Sequence, residues 1–435
     1  MADIIPFRGY LYNREKIKNI GDVVAPPYDV IPKEDYKKYY QKHANNIIHV
    51  ILGKDYPHDS SQYNKFTRAA EHLNGWIDNH ILGRDTSASL YVYYQKYFTR
   101  SRKVRLRKGF ICLVRLEDYK NGVIFPHEET FSKTKEALFH LKKACRANLS
   151  PIFSLYSEPE NLINQTIEQE IANKEPLIAV TDADSTQHML WKYSNAEGID
   201  RIRGLMEDKK CIIADGHHRY ETSLALRNIL RRERGNPAGM QSYDYVMMYL
   251  TNMDDEGLSI RPTHRVVRKP EGTDENVFME GLKKNFNITP FEYGKRKEFF
   301  HELKQRGKKE VCFGLFAGKK GFSLLTLRDK DVMEKYRDDS KPKEWWNLDV
   351  TILQKLVIEE ALGLKDGNED DIVYTHDDED AIRRAEENKG VISLFMNPTR
   401  IKNMQKVVSL GAKMPQKSTY FFPKLLTGLV INKFE

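Results

Sequence analysis

The segment Cys211–Arg232 restricts the fold more than any other. Four apolar residues, CIIA, run into the polar stretch DGHHR and then into YETSLALRNILRR, which contains neither proline nor glycine. The first run has the length of a buried strand and the last reads as a helix starting near Tyr220. A strand feeding a helix through five polar residues belongs neither to a helical bundle nor to an all-β sandwich. It also creates a chemical opportunity. Such a turn presents free backbone N–H groups and the positive end of a helix dipole to one spot. Gly216 lets the backbone turn sharply or approach a ligand. His217, His218 and Arg219 add side-chain donors, and the Arg219 fork matches a pair of anionic oxygens. Asp215 stands where it would hold Mg²⁺ or orient a histidine. Together these residues suit a phosphate group. The competing reading makes Asp215 a helix cap and leaves the histidines in solvent. A metal site on His217 and His218 is disfavoured, because adjacent helical histidines diverge and no third ligand is spaced to join them.

The rest of the chain continues the mixture. Helical spacing marks Lys33–His43, Ser61–Ile81, Thr134–Asn148, Ile199–Lys209, Asn276–Asn285, Lys297–Arg306, Asp349–Leu362, Glu379–Asn388 and Arg400–Leu410. Strand patterns mark Leu90–Phe98 with Gly109–Leu116, Leu177–Val180 with His188–Lys192, and Val311–Phe316 with Phe322–Leu327. Tyr245–Leu250 and Ser259–Val267 read as one more strand pair, and Ile372–Tyr374 and Val391–Met396 as further strands. The fold class is therefore α+β, with mixed sheets and helices. Lys269–Asn276 (KPEGTDEN) is the most linker-like stretch, which divides the chain into an N-terminal region, 1–270, and a C-terminal α/β region, 271–435.

Composition excludes several classes. The 435 residues can bury a sizeable core unaided. Four scattered cysteines offer neither a disulfide framework nor zinc spacing and read as small buried hydrophobes. No apolar run approaches membrane-spanning length, and MADIIPFRGYLYN has no signal-peptide pattern, so the expected location is the cytoplasm. The net charge of +8 is interleaved with acids. Its densest basic run, RSRKVRLRK, alternates like the polar face of a strand, so nucleic acid is not the expected partner. A phosphorylated small molecule fits a mildly basic balance as well.

Three other stretches carry chemistry. In APPYD, Pro26 and Pro27 stiffen the backbone, Asp29 would act as base or metal ligand, and Tyr28 would stack on a base or bond a substrate. In PHEETFSKTK, His127, Glu128 and Glu129 offer a general base, and Ser132, Lys133 and Lys135 offer phosphate contacts; helix capping is the alternative. In KMPQKSTYFFPK, Lys417, Ser418 and Thr419 form a compact anion-binding loop, with Lys424 just beyond. RPTHR and YTHDD read equally well as packing and helix-start residues.

ADGHHRYET resembles the phosphate-binding loop of the ParB/sulfiredoxin superfamily, especially its free-serine-kinase branch. Sulfiredoxin places a catalytic cysteine in this loop, whereas His217 and His218 stand here. Over nearly the whole chain, APPYDVI, EETFSKTK with NLSP, ADGHHRYET and KMPQKST occur in the order found in the domain of unknown function 1015 family, which the protein resembles. These resemblances imply a ParB/sulfiredoxin-like nucleotide-binding core. They imply a kinase-like phosphotransferase that moves a phosphoryl group between an adenine nucleotide, ATP or ADP, and serine or phosphoserine, with Mg²⁺. Gly216, His217, His218, Arg219 and Tyr220 would hold the nucleotide. Asp215, His217, His218, Glu128, Glu129 and Asp29 would be catalytic. Tyr28, Lys133, Lys417, Ser418, Thr419 and Lys424 would meet the substrate. The alternatives are a nucleotide-dependent regulator or DNA binder of the ParB type, and a phosphoester hydrolase. No membrane partner is expected, and a homodimer is compatible with the sequence.

Overall fold

The computed structural model describes residues 2–100, 102–129, 132–364 and 371–434. Cα packing divides them into two units. The first comprises Met1–Pro126, Thr130–Ser259 and Pro423–Glu435; the second comprises His127–Glu129 and Ile260–Phe422. The packing thus follows no single cut at 270/271, because the last residues of the chain return to the first unit.

Ten strands build the main sheet of the first unit. They are β1 (Ile4–Ile5), β2 (Leu90–Phe98), β3 (Val104–Arg107), β4 (Phe110–Arg115), β5 (Ile124–Pro126), β6 (Ile152–Tyr156), β7 (Ile178–Thr181), β8 (Gln187–Tyr193), β9 (Cys211–Asp215) and β10 (Tyr245–Asn252). The order is β7-β8-β2-β4-β10-β6-β9-β5, with β1 beside β4 and β3 beside β2. Alternation decides the faces. Leu90, Val92 and Tyr94 of β2 enter one core with Phe110, Cys112 and Val114 of β4. The Leu162–Ile171 and Ala196–Met206 helices close that core with Ile163, Ile167, Ile199 and Ile202. The Ser132–Cys145 helix packs against the His217–Glu233 helix. The later half of the basic run is β3, as its alternation suggests.

In the second unit, β11 (His264–Arg268), β12 (Phe286–Phe291), β13 (Cys312–Phe316), β14 (Phe322–Leu327), β15 (Ile372–Thr375) and β16 (Val391–Phe395) form an antiparallel sheet in the order β12-β14-β13-β16-β11-β15. Phe299 and Leu303 of the Arg296–Arg306 helix, and Ala381, Ile382 and Ala385 of the Asp378–Glu387 helix, pack on it. The architecture is α+β, with helices laid on mixed and antiparallel sheets.

Two local expectations change. Tyr245–Leu250 and Ser259–Val267 do not pair: β10 lies between β4 and β6, and β11 lies between β15 and β16. Pro262, which cannot donate to a ladder, splits the second stretch into Ser259–Arg261 and β11. The helix after CIIAD begins at His217, three residues before Tyr220, so His217, His218 and Arg219 form its first turn. All four cysteines are free and buried. Among the described residues no helix is long and apolar enough to cross a membrane.

Candidate functional site

β9 runs between β5 and β6, and its register with β6 shifts between Ile213 and Asp215. Such an irregularity re-aims the strand end. The chain then reverses on one residue. Gly216 has φ +91° and is the N-cap of the next helix. A Cβ built there would stand 2.8 Å from Arg219 Nε, so glycine is required both for the backbone and for the close approach of the guanidinium.

The helix brings Arg219 back over its own start. Arg219 Nη2 donates to Asp215 Oδ2 at 3.0 Å, and Nη1 donates to Ser150 Oγ at 2.9 Å and to the Pro151 carbonyl at 2.6 Å. Lys424 Nζ donates to the other carboxylate oxygen, Asp215 Oδ1, at 2.9 Å. Burial pushes the Asp215 carboxyl up, but Lys424 and Arg219 outweigh it and hold it below the ordinary carboxylate range. Asp215 is thus an ion-pair hub rather than the helix cap. It is also a poor place for a divalent cation, which would face an ammonium and a guanidinium. Among the described residues no group of three His, Cys, Asp or Glu side chains is placed to hold a metal ion. The expected Mg²⁺ role of Asp215 does not fit these residues.

Beside Arg219 lies a cavity of about 60 Å³, bounded in part by Tyr28, Leu141, Lys142, Asn148, Arg219 and Ser223. At roughly 10–15 Å³ per water this space takes a few waters or one small anion, not a nucleoside. Its wall carries several donors. Lys142 Nζ donates to Asn148 Oδ1 at 2.7 Å and to Ser223 Oγ. Arg219 Nε and Asn148 Nδ2 are buried and have no hydrogen-bond partner among the described residues. Burial, and then the charge of Arg219, lower the Lys142 pKa to about 7. Unmet buried donors are costly, and a ligand rich in acceptors would satisfy them.

The APPYD segment borders the same place. Ala25 exchanges backbone hydrogen bonds with Thr427, an isolated bridge that fixes the segment to the C-terminal stretch. Tyr28 lines the cavity, and its hydroxyl is raised by burial and by Asp29. The Asp29 carboxyl is raised by the protein packed around it and by Asp215, while Lys424 and Arg219 pull it down. The residue is nevertheless solvent-exposed, and water softens the effect.

Tyr28, Asp29, Asp215, Gly216, Arg219 and Lys424 therefore come together in the first unit. His217 is buried, and its place beside Asp215 contributes, after Lys424 and Arg219, to holding that carboxyl down. His218 sits on the first helical turn, and its carbonyl accepts from Thr222 Oγ1 at 2.8 Å. Tyr220 is corrected to a core residue. It is fully buried, its hydroxyl donates to the Glu117 carbonyl at 2.7 Å and accepts from the Glu117 amide, and it stacks on Tyr119. Neither its ring nor its hydroxyl is open to a nucleotide.

The second unit gathers another set. Glu128 Oε1 accepts from the Thr419 amide at 2.8 Å and from Thr419 Oγ1 at 2.9 Å, and His127 Nε2 lies 2.6 Å from Thr419 Oγ1. Ser418 is buried and donates to the Pro415 carbonyl, and Lys417 takes a left-handed backbone conformation at φ +56°. Glu129 pairs with Lys341. His264 binds Asp378 at 2.7 Å and accepts from the Met396 amide, a structural role, and Asp377 caps the Asp378–Glu387 helix. The Lys133 side chain lies outside the described residues. Sequence reading gave no site role to Lys142, Asn148 or Ser150, although the NLSP segment contains the last two. One signal for Lys142 was present: it lies four residues after Leu138 and next to Leu141, on the helix's apolar face.

Among solved structures, the chain is similar to SbnI with a C-terminal truncation from Staphylococcus aureus, at 13% identity over 73% of this chain and 85% of that one, with a TM-score of 0.35. It is similar to a conserved hypothetical protein from Pyrococcus furiosus, at 13% identity over 68% and 86%, TM-score 0.30. It is also similar to a free serine kinase in complex with AMP, at 12% identity over 70% and 88%, TM-score 0.30. At these scores no residue or activity is carried across. No curated protein matches in sequence. A family model does match, over residues 4–351, and the chain belongs to that family, described as Protein of unknown function (DUF1015).

Proposed function

We propose that this protein is a phosphotransferase that moves a phosphoryl group between an adenine nucleotide and serine or phosphoserine at the Asp215–Arg219 site. The observation that supports this most is a pair of buried donors, Arg219 Nε and Asn148 Nδ2, which have no hydrogen-bond partner among the described residues and belong to the same cavity wall as the Lys142 amine. Phosphoryl transfer asks the protein chiefly for positioning and for neutralised charge. Arg219, Lys142 and Asn148 would seat the phosphoryl oxygens at the N-terminus of the His217–Glu233 helix. Asp215 is a positioning residue that holds Arg219 and Lys424 in place. Asp29 would take the acceptor hydroxyl's proton, and an upward-shifted carboxyl suits that task. Adenine and serine as substrates rest on the resemblance of ADGHHRYET to the free-serine-kinase loop.

A second reading, hydrolysis of a small phosphoester at the same place, is favoured by the cavity's size, which suits a phosphate group alone. Calorimetric titration with ATP and ADP, repeated with serine or phosphoserine present, separates the two. Nucleotide binding sharpened by one amino acid supports transfer, and Arg219→Ala should abolish it while the thermal unfolding transition persists. Unchanged affinity in that variant would sink the assignment of Arg219. Phosphate release from phosphoserine without nucleotide would favour hydrolysis.

A further inference from the structure

The second unit contains a larger cavity, about 380 Å³, whose wall includes Arg265, Lys341, Trp345, Trp346, Gln354 and Lys355. That volume is in the range of sites that enclose small organic molecules. Arg265, on β11, is 5% exposed. Its Nη1 donates to the Thr263 carbonyl and, at 2.9 Å, to Met396 Sδ, and its Nη2 donates to the Lys417 carbonyl at 3.4 Å. All three acceptors are neutral. Among the described residues no carboxylate pairs with this guanidinium; Glu128 acts on it only at longer range and is already held by Thr419. A buried cation with no paired anion is unfavourable until an anion reaches it.

Trp346 supplies an independent sign. It is 7% exposed, and its indole N–H is buried without a partner among the described residues, whereas the neighbouring Trp345 N–H donates to the Lys413 carbonyl at 2.9 Å. The other charges around the cavity are matched: Lys341 with Glu129 at 3.0 Å, and Lys355 with Glu359 at 2.8 Å. Gln354 and Lys355 come from Leu353–Ala361, whose backbone is π-helical. Such turns are rare and recur at functional sites.

We propose that this cavity is a second binding site, formed by residues other than those of the Arg219 site, for a small organic anion. Its carboxylate or phosphate group pairs with Arg265 and accepts from the Trp346 N–H, and its planar apolar body lies along Trp346, Ile372 and Tyr374. The proposal is independent of the phosphotransferase reading.

The test uses the full chain and three probes of one shape: benzoate, phenyl phosphate and uncharged benzyl alcohol. Binding is followed by saturation-transfer NMR and quantified by calorimetry. At least one anion should bind, and benzyl alcohol should bind at least tenfold more weakly. The benzoate and phenyl phosphate arms show which anionic group the site prefers. Arg265→Met should weaken the anion at least tenfold. Trp346→Phe, which keeps the packing and removes the N–H, should weaken it severalfold and decides the matter if the arginine variant does not fold. The proposal is overturned if neither anion binds, if benzyl alcohol binds equally well, or if the folded variants bind the anion like the parent chain.

Discussion

Lys142 is the residue whose chemistry differs most from what its letter suggests. Enclosed by the protein and close to Arg219, its ammonium is held near pH 7 instead of the ordinary 10.5. Between those values the unfolded chain binds a proton that the folded chain lacks, so this group makes stability rise as pH rises from about 7 towards 10. Anion binding runs the other way: affinity for inorganic phosphate should fall as pH climbs through 7 and the ammonium discharges. Lys142→Met should flatten both slopes relative to the parent, read from urea midpoints and phosphate titrations at pH 6.5, 8 and 9.5. Parallel curves for the two proteins would place the titrating group elsewhere. Asp215, Gly216 and Arg219 were legible because a polar cluster between an apolar strand and a helix is unusual. Lys142 was legible only as a lysine on an apolar face, whose ammonium a flexible stem ordinarily carries into solvent; packing from outside that helix is what encloses it.

At the scale of elements, the strand–turn–helix of Cys211–Glu233 forms the candidate site, and its geometry depends on one turn residue. Gly216→Ala would put a methyl group 2.8 Å from the Arg219 guanidinium on a backbone at φ +91°. A side chain in that conformation costs on the order of 1–3 kcal/mol. We expect a lower unfolding midpoint together with weaker phosphate binding. A variant that loses stability yet binds phosphate normally would separate the turn from the anion site. Periodicity located this strand and helix, as it did the β13–β14 hairpin. It failed where pairing is non-local. Tyr245–Asn252 and His264–Arg268 follow one another closely, yet each pairs with strands from distant parts of the chain.

At the scale of the molecule, the last residues complete the first unit. Leu425, Leu426, Leu429, Val430, Ile431 and Phe434 are buried, the Pro423 carbonyl accepts from the fully buried Arg107, and the Lys424 carbonyl accepts from Gln95. At roughly 1.5–3 kcal/mol per large apolar side chain, their burial is comparable to the whole net stability of a typical domain. Ending the chain at residue 422 should leave the first unit without a cooperative thermal transition and with rapid amide exchange along β2 and β3. A truncated protein that melts like the parent would refute this role for the tail. The α+β class, most helices and strands, and the Asp-Gly-His-His-Arg turn can be read from the residues alone, because these follow from side-chain periodicity and backbone preference among near neighbours. It takes the folded chain to show that Asp215 is paired with Lys424, 209 positions away, that Tyr220 is core, and that Lys142 and Arg265 border cavities. Burial and electrostatic environment are set by residues remote in the chain, and no local pattern encodes which remote residues will arrive.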